Sequence, residues 1–334
     1  MKISTNTIAE VQAAVSQPFP KFSVSAKEAY EIDAIGSRLW NAATKVLREH
    51  VGEDSAIQGS SSDKFVASLR AFAFLLIDKA RRTAANRKDL SEQVRIFKLA
   101  LKASRLCLEK SALDCASIVL ERCAEYASSA EDASPINFTT REDTADESGI
   151  LRELVVEYYM LRMSHAWKSG RLDTAEHLFR KIEKRSLAES VACAESCTEL
   201  CLEIGKTLTK QKRPDVAVSW LERGVEVLDL YTDQSLEAVS EDLRLAVVAA
   251  AVEALCRQQS SSAYERAYSL VDNLKSEYGL GNRVAVSAIE LKLGLQALPP
   301  DSDALSSVLA RMVQGTILTD ATFRLQVHKT FALS

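Results

Sequence analysis

The sequence predicts an all-α fold, a solenoid of antiparallel helix hairpins, and three observations lead there. Apolar residues recur at three- and four-residue steps over long stretches, the spacing that puts side chains on one helix face. No strand-like alternation bounded by turn residues occurs. Gly and Pro number only 11 and 6 in 334 residues, which favours long helices joined by short turns.

Residues 1–24 read as a weakly ordered segment, in which a short amphipathic helix over Thr7–Val15 stops before Pro18 and Pro20. Ser25–His50 reads as one helix with a stripe of Ile32, Ile35, Leu39, Ala43, Val46 and Leu47. Gly52–Asp63 is polar and rich in Gly and Ser, hence a loop. Lys64–Arg82 carries Phe65, Leu69, Phe72, Leu75 and Leu76, enough to be buried on more than one side. Leu90–Lys110 and Leu113–Ala127 make a hairpin whose second helix turns Ala116, Leu120 and Cys123 inward. Residues 128–149 hold six acids against Arg141 alone, together with Pro135, and read as an exposed, mobile acidic insertion. From 150 onward hairpins follow one another. Tyr158–Ile182 turns at Gly170 and carries Ala175, Phe179 and Ile182. Leu187–Lys210 leads to Pro214–Leu230, with Pro214 in a helical first turn and Ala217, Leu221 and Gly224 facing inward. Leu236–Gln259 and Ala263–Tyr278 carry Ala267, Val271 and Leu274. Asn282–Ala297 and Ser302–Gln314 meet at Pro299-Pro300-Asp301, with Ala304 and Val308 followed by Arg311. Asp320–Phe331 starts one more helix with an apolar face and no downstream neighbour, so a truncated array is one reading of the sequence.

A small residue, a large apolar residue one turn later and another small residue, following a glycine turn, form the tetratricopeptide (TPR) pattern. Gly170, Ala175 and Phe179 fill it once, and Ala217, Leu221 and Gly224 repeat its second-helix part, with Gly205 at the small position inside the preceding helix. The steps between the anchors Ala116, Ala175, Ala217, Ala267 and Ala304 all depart from the strict period of about 34 residues. The units are therefore degenerate and TPR-like, with 25–127 as N-terminal helices plus a first hairpin and 150–334 as the repeats. A hairpin cannot bury its apolar face alone, so neighbours stack and expose a long surface lined by their first (A) helices, the usual place for a protein partner. A non-repetitive helical bundle is the competing reading.

Composition narrows the function classes. The net charge of -4 supplies no global attraction to nucleic acid or anionic lipid. The densest basic run, Lys79, Arg81, Arg82, Arg87 and Lys88, is flanked by Asp78 and Asp89 and lacks interleaved aromatics, so direct nucleic-acid binding is not expected. No window reaches the roughly 20 apolar residues of a membrane span, and the N-terminus lacks a secretory leader, so the expectation is a soluble intracellular protein with no membrane partner. The 7 cysteines then read as free, buried thiols. Cys193, Cys197 and Cys201 share a helix face but lack a fourth ligand, and Cys107, Cys115 and Cys123 are spread over two helices. His50, His165, His177 and His328 show no metal-ligand spacing, and no phosphate loop, dinucleotide fingerprint or nucleophile elbow occurs. The expectation is a non-enzymatic protein without cofactor or metal.

Contact residues follow from the TPR register. Trp167 and Lys168 fall on the groove-facing side of their A helix, with Ser164 and Glu157 on the same side. The next repeat offers Glu199, Lys206, Thr209 and Lys210 at equivalent places. Tryptophan is enriched in protein–protein hot spots, and lysines can pair with acidic partners. Packing of Trp167 between repeats is an equal alternative.

Ile32–Asn41, IDAIGSRLWN, followed by the apolar helix containing RAFAFLLID at Arg70–Asp78, resembles the N-terminal region of a fungal meiotic family. This is the Zip-four family, also called sporulation-specific protein twenty-two, whose plant and animal relatives share a similar Leu-Trp-Asn helix. The resemblance runs from about Ala26 onward. It implies a TPR-rich scaffold on meiotic chromosomes in the nucleus, acting in synaptonemal-complex assembly and crossover formation by linking recombination and chromosome-axis proteins. Leu39, Trp40 and Asn41 carry over as family-pattern residues for packing and helix termination. Family members are generally much longer, so the chain would be an N-terminal portion, a truncated gene product or a divergent short relative, and no binding residue is carried over. Two other expectations stand beside it: a generic TPR adaptor or cochaperone that captures a peptide tail, and a helical regulatory domain of a larger enzyme or transcription regulator.

Overall fold

A computed structural model describes residues 10, 13–15, 25–50, 61–83, 90–132, 142–182, 184–231, 240–276, 278–280, 284–296 and 305–310. The fold is all-α and solenoid-like: every regular element among these residues is helical, and within each of the two units consecutive helices pack as antiparallel neighbours. The chain divides into two compact units, Met1–Ser186 and Leu187–Ser334.

The first unit holds α1 (Ala26–His50), α2 (Ser61–Thr83), α3 (Leu90–Glu109), α4 (Leu113–Asp132), α5 (Glu142–Lys168) and α6 (Leu172–Lys181). Ser25 opens α1 with a reciprocal cap: its amide donates to Glu28 Oε2 at 2.8 Å and the Glu28 amide donates to Ser25 Oγ at 3.3 Å. The expected stripe on α1 is corrected. Its buried seam is Ala29, Gly36 and Ala43, while Ile35 is 43% exposed and Ile32, Leu39, Val46 and Leu47 are half-buried. The reason is close approach to α2, where a Cβ on Gly36 would lie 2.8 Å from Ile77 Cγ1. Small residues line the contact and larger ones flank it. Asn41 is exposed inside α1, which continues to His50, so it does not terminate that helix. Leu39 and Trp40 are half-buried, and the Arg70 guanidinium lies 4.2 Å from the Trp40 ring centroid.

Helix α2 packs on α1, α3 and α4, and Val66, Ala71, Phe74, Leu75 and Ile77 on several of its faces are buried. Phe65, Leu69, Phe72 and Leu76 are half-buried. Phe97 meets Tyr126 with centroids 6.0 Å apart and Tyr158 at 6.4 Å, giving this unit an aromatic centre. Buried Asp78 accepts from Arg82 Nε at 2.8 Å and from the Tyr126 hydroxyl. Burial, reinforced by Asp78, pushes the Tyr126 phenol up, so it stays a donor. Helix α4 continues to Asp132 and α5 begins at Glu142, so both ends of the acidic stretch 128–149 are helical, and 133–141 lie outside the described residues.

The boundary between units falls inside α7 (Lys184–Ala188). Extended Ser190 (φ -141°, ψ 107°) separates it from α8 (Val191–Lys210), so the single helix expected over Leu187–Lys210 is broken. The second unit continues with α9 (Pro214–Leu228), α10 (Glu241–Cys256), α11 (Ser261–Ser276) and α12 (Val284–Gln296), followed by a helical stretch at 305–310. Ala304, Arg311 and the expected helix Asp320–Phe331 lie outside the described residues.

One turn geometry recurs in three hairpins. Ser111, Gly170 and Lys212 are left-handed (φ 56°, 75° and 59°), and in each case the next residue's amide donates to a carbonyl five residues back. Buried Ala116, Ala175 and Ala217 then sit in the first turn of the following helix. In the fourth hairpin the left-handed residue is Gln259 (φ 53°), and the first-turn alanine is Ala263; the sequence anchor Ala267 is buried one turn further on. In α6, buried Leu178 takes the core position expected for Phe179, which is half-buried. The small positions of the α8–α9 pair are steric necessities. A Cβ on Gly205 would sit 2.4 Å from Leu221 Cγ, and one on Gly224 3.1 Å from Val247 Cγ2 and 3.3 Å from Cys201 Cβ. Fully buried Thr198 uses the same closeness, its hydroxyl donating to the Gly224 carbonyl oxygen at 3.3 Å.

Candidate protein-binding groove

Helices α8, α10 and α12 are the A helices of successive hairpins in the second unit, and α10 packs between the other two. Two ties show that α8 and α10 run the same way. The Ser240 amide at the start of α10 donates to Glu195 near the start of α8 at 2.8 Å, and Arg257 at its end donates to the Thr209 carbonyl oxygen at 3.2 Å. Lys292 of α12 reaches Glu253 of α10 at 3.1 Å. A groove of about 820 Å³ follows these helices.

Its lining is one face of each helix, repeating at three- and four-residue steps. The middle helix supplies the floor with Leu245, Ala246, Ala249 and Ala250, and α12 adds Ala285, Ala288 and Ile289. Lysines form the banks, Lys206 and Lys210 from α8 and Lys292 from α12. The floor is recessed because alanines of α10 and α12 line it where the banks carry lysines.

Charge is distributed unevenly. Asp242 lines the groove at the N-terminal end of α10, whereas Lys206 and Lys210 lie in the last turns of α8, beside the end of α10 marked by the Arg257 tie. Glu253 is held by Lys292 and by Arg257 at 2.8 Å; burial raises its carboxyl, but these cations outweigh that and keep it below the usual carboxylate range. Lys206 and Lys210 are exposed, and neither makes an ion pair among the described residues.

The contact residues expected from sequence divide accordingly. Lys206, Thr209 and Lys210 come together in the groove, but the Thr209 hydroxyl is spent on the Gly205 carbonyl oxygen at 2.8 Å. Glu199 is exposed on α8 and does not line the groove. In the first unit, Glu157 pairs with Arg105 at 2.9 Å, and Lys168 Nζ donates to the Leu108 carbonyl oxygen at 3.4 Å. Both tie α5 to α3. Trp167 and Ser164 are half-buried on the same helix. Sequence reasoning missed the alanine floor and Lys292. The run LAVVAAAVEAL in α10 was the available signal, since alanines between the apolar core positions leave room above the helix.

The remaining candidate chemistry resolves into structure. Arg82 is engaged by Asp78 and Glu125, and the Arg81 guanidinium lies 5.4 Å from the Tyr126 ring centroid. Arg87 and Lys88 lie outside the described residues. Cys107, Cys115, Cys123, Cys197, Cys201 and Cys256 are buried and Cys193 is half-buried. Burial pushes the Cys123 thiol up to about 12 and that of Cys256 to about 11, so both stay protonated at neutral pH. Among the described residues no group of three or more His, Cys, Asp or Glu could hold a metal, and no helix is long and apolar enough to cross a membrane.

The family described as "Meiosis protein SPO22/ZIP4 like" matches residues 165–333, half of the chain and the part that contains the groove. The chain belongs to this family. Membership in SPO22/ZIP4 gives it a role in meiosis and agrees with the resemblance noted at Ile32–Asn41, although that stretch lies outside the matched residues. No curated protein and no solved structure matches the chain.

Proposed function

We propose that this SPO22/ZIP4-like chain is a non-enzymatic scaffold that works in the nucleus on meiotic chromosomes, promoting synaptonemal-complex assembly and crossover recombination by holding recombination and chromosome-axis proteins together. The observation that carries the reading is the groove along α8, α10 and α12, inside the residues matched by a meiosis family. Successive A helices offering one continuous recessed face suit an elongated segment of another protein. The floor supplies apolar contact and the lysine banks supply orientation.

Chromosome spreads from meiotic cells test it. The tagged protein is expected in foci on paired chromosomes, with crossovers reduced and synapsis incomplete in a deletion strain. Absence from chromosomes together with normal crossovers would overturn the proposal. A pulldown dominated by chaperone carboxyl termini would instead support the cochaperone reading.

A further inference from the structure

We infer that the groove takes an acidic amphipathic segment of a partner protein, with aliphatic side chains in the trough over Ala246, Ala249 and Ala250 and carboxylates on Lys206 and Lys210. This rests on the reading of the groove as the partner-binding surface and adds the chemistry of what binds there.

Three observations converge on that occupant. The trough is floored by methyl groups on the central helix, so it has depth for branched aliphatic side chains and offers few hydrogen-bond partners. The two lysines on the α8 bank are one helical turn apart, exposed, and without an ion pair among the described residues. Across the groove, Glu253 is already shared by Lys292 and Arg257, so the acidic group at that end is compensated from within. The end of the groove near the C-terminal turns of α8 and α10 is thus positive towards an incoming chain, while Asp242 at the other end disfavours a segment acidic throughout. The fitting segment has apolar residues at helical spacing and its acids grouped towards one end.

Fluorescence anisotropy with the full chain and two labelled peptides tests this. Both peptides carry leucines on one helical face; the first has glutamates grouped at one end and the second has lysines in their place. The glutamate peptide is expected to bind saturably, more weakly as salt is raised, while the lysine peptide binds far less well. The double variant K206E/K210E is expected to weaken the glutamate peptide roughly tenfold and to favour the lysine peptide, with circular dichroism unchanged because both positions are exposed. Ala249→Leu, which fills the trough, is expected to weaken both peptides. Equal binding of the two peptides, no saturable binding, or a glutamate-peptide affinity unmoved by K206E/K210E would each overturn the inference. So would binding that appears only after residues 311–334 are removed, which would assign the trough to the chain's own end. Chromosomal foci that persist while neither peptide binds would overturn the acidic occupant and leave the scaffold reading standing; absent foci with glutamate-peptide binding intact would do the reverse.

Discussion

The A-helix faces of the two units differ in what their side chains do. In the first unit the α3–α5 face is laced shut, with Arg105 paired to Glu157 and Lys168 reaching the Leu108 carbonyl, while His165 Nε2 donates to the carbonyl of Leu113 at the start of α4 at 3.2 Å. In the second, the α8–α10–α12 face opens as an alanine-floored trough with lysines on one bank that make no ion pair among the described residues. Their cores differ in parallel, four aromatics (Phe74, Phe97, Tyr126 and Tyr158) in one against Trp220 set among Ala, Val and Leu packed on glycines in the other. The same hairpin grammar therefore yields either a closed or a receptive face. What decides is whether the central positions carry long polar side chains or methyl groups.

Truncating the largest core side chains should test this contrast most severely. Phe97→Ala and Trp220→Ala are each expected to cost about 3–5 kcal/mol. Hydrogen exchange should show protection lost mainly in residues 90–132 for the first and in 191–228 for the second; a uniform loss in both units for either variant would show that they unfold as one. Asp78→Ala takes away the acceptor of the buried Tyr126 hydroxyl and one of the partners of Arg82, and should cost about 2–4 kcal/mol in urea unfolding. A double-mutant cycle with Tyr126→Phe should show strong non-additivity, because both changes break one network.

The glycines sharpen the contrast at smaller scale. Gly205→Ala must push Leu221 aside and should cost about 1–3 kcal/mol despite the better helix propensity of alanine. Gly170→Ala has open space around it and pays only for left-handed backbone, about 1–2 kcal/mol. Thermal denaturation of the two variants checks the order. The smallest effect is a pH response confined to the first unit. Burial lowers the pKa of His165 from its ordinary 6.5, and Arg171 opposes a positive ring from 3.4 Å. The folded state thus holds the neutral form. Its contribution is present above pH 6.5 and is lost as pH falls below that value, so the unfolding midpoint should drop on acidification, less steeply in His165→Gln.

Much of the fold was legible because helical periodicity is local. Most of the described helices, the turn at Gly170, the first-turn alanines Ala116, Ala175 and Ala217 and the close approach at Gly205 and Gly224 leave marks within a few residues of sequence. The misreadings share one cause. Ile35 was placed inward and Phe179 was preferred to Leu178, because a periodic stripe names a face without saying what lies opposite it. Arg105 and the Leu108 carbonyl, some fifty residues away in the chain, claimed two of the expected contact residues.

The sequence by itself determined an all-α, hairpin-built member of a meiotic family and pointed to Lys206 and Lys210, since helix spacing, turn residues and family motifs are properties of contiguous chain. Only the tertiary structure decided that these lysines stand beside a trough while Lys168 caps a neighbouring helix. The three A helices that form the trough come from separate hairpins, and only packing brings the alanines of α10 between the lysines of α8 and α12.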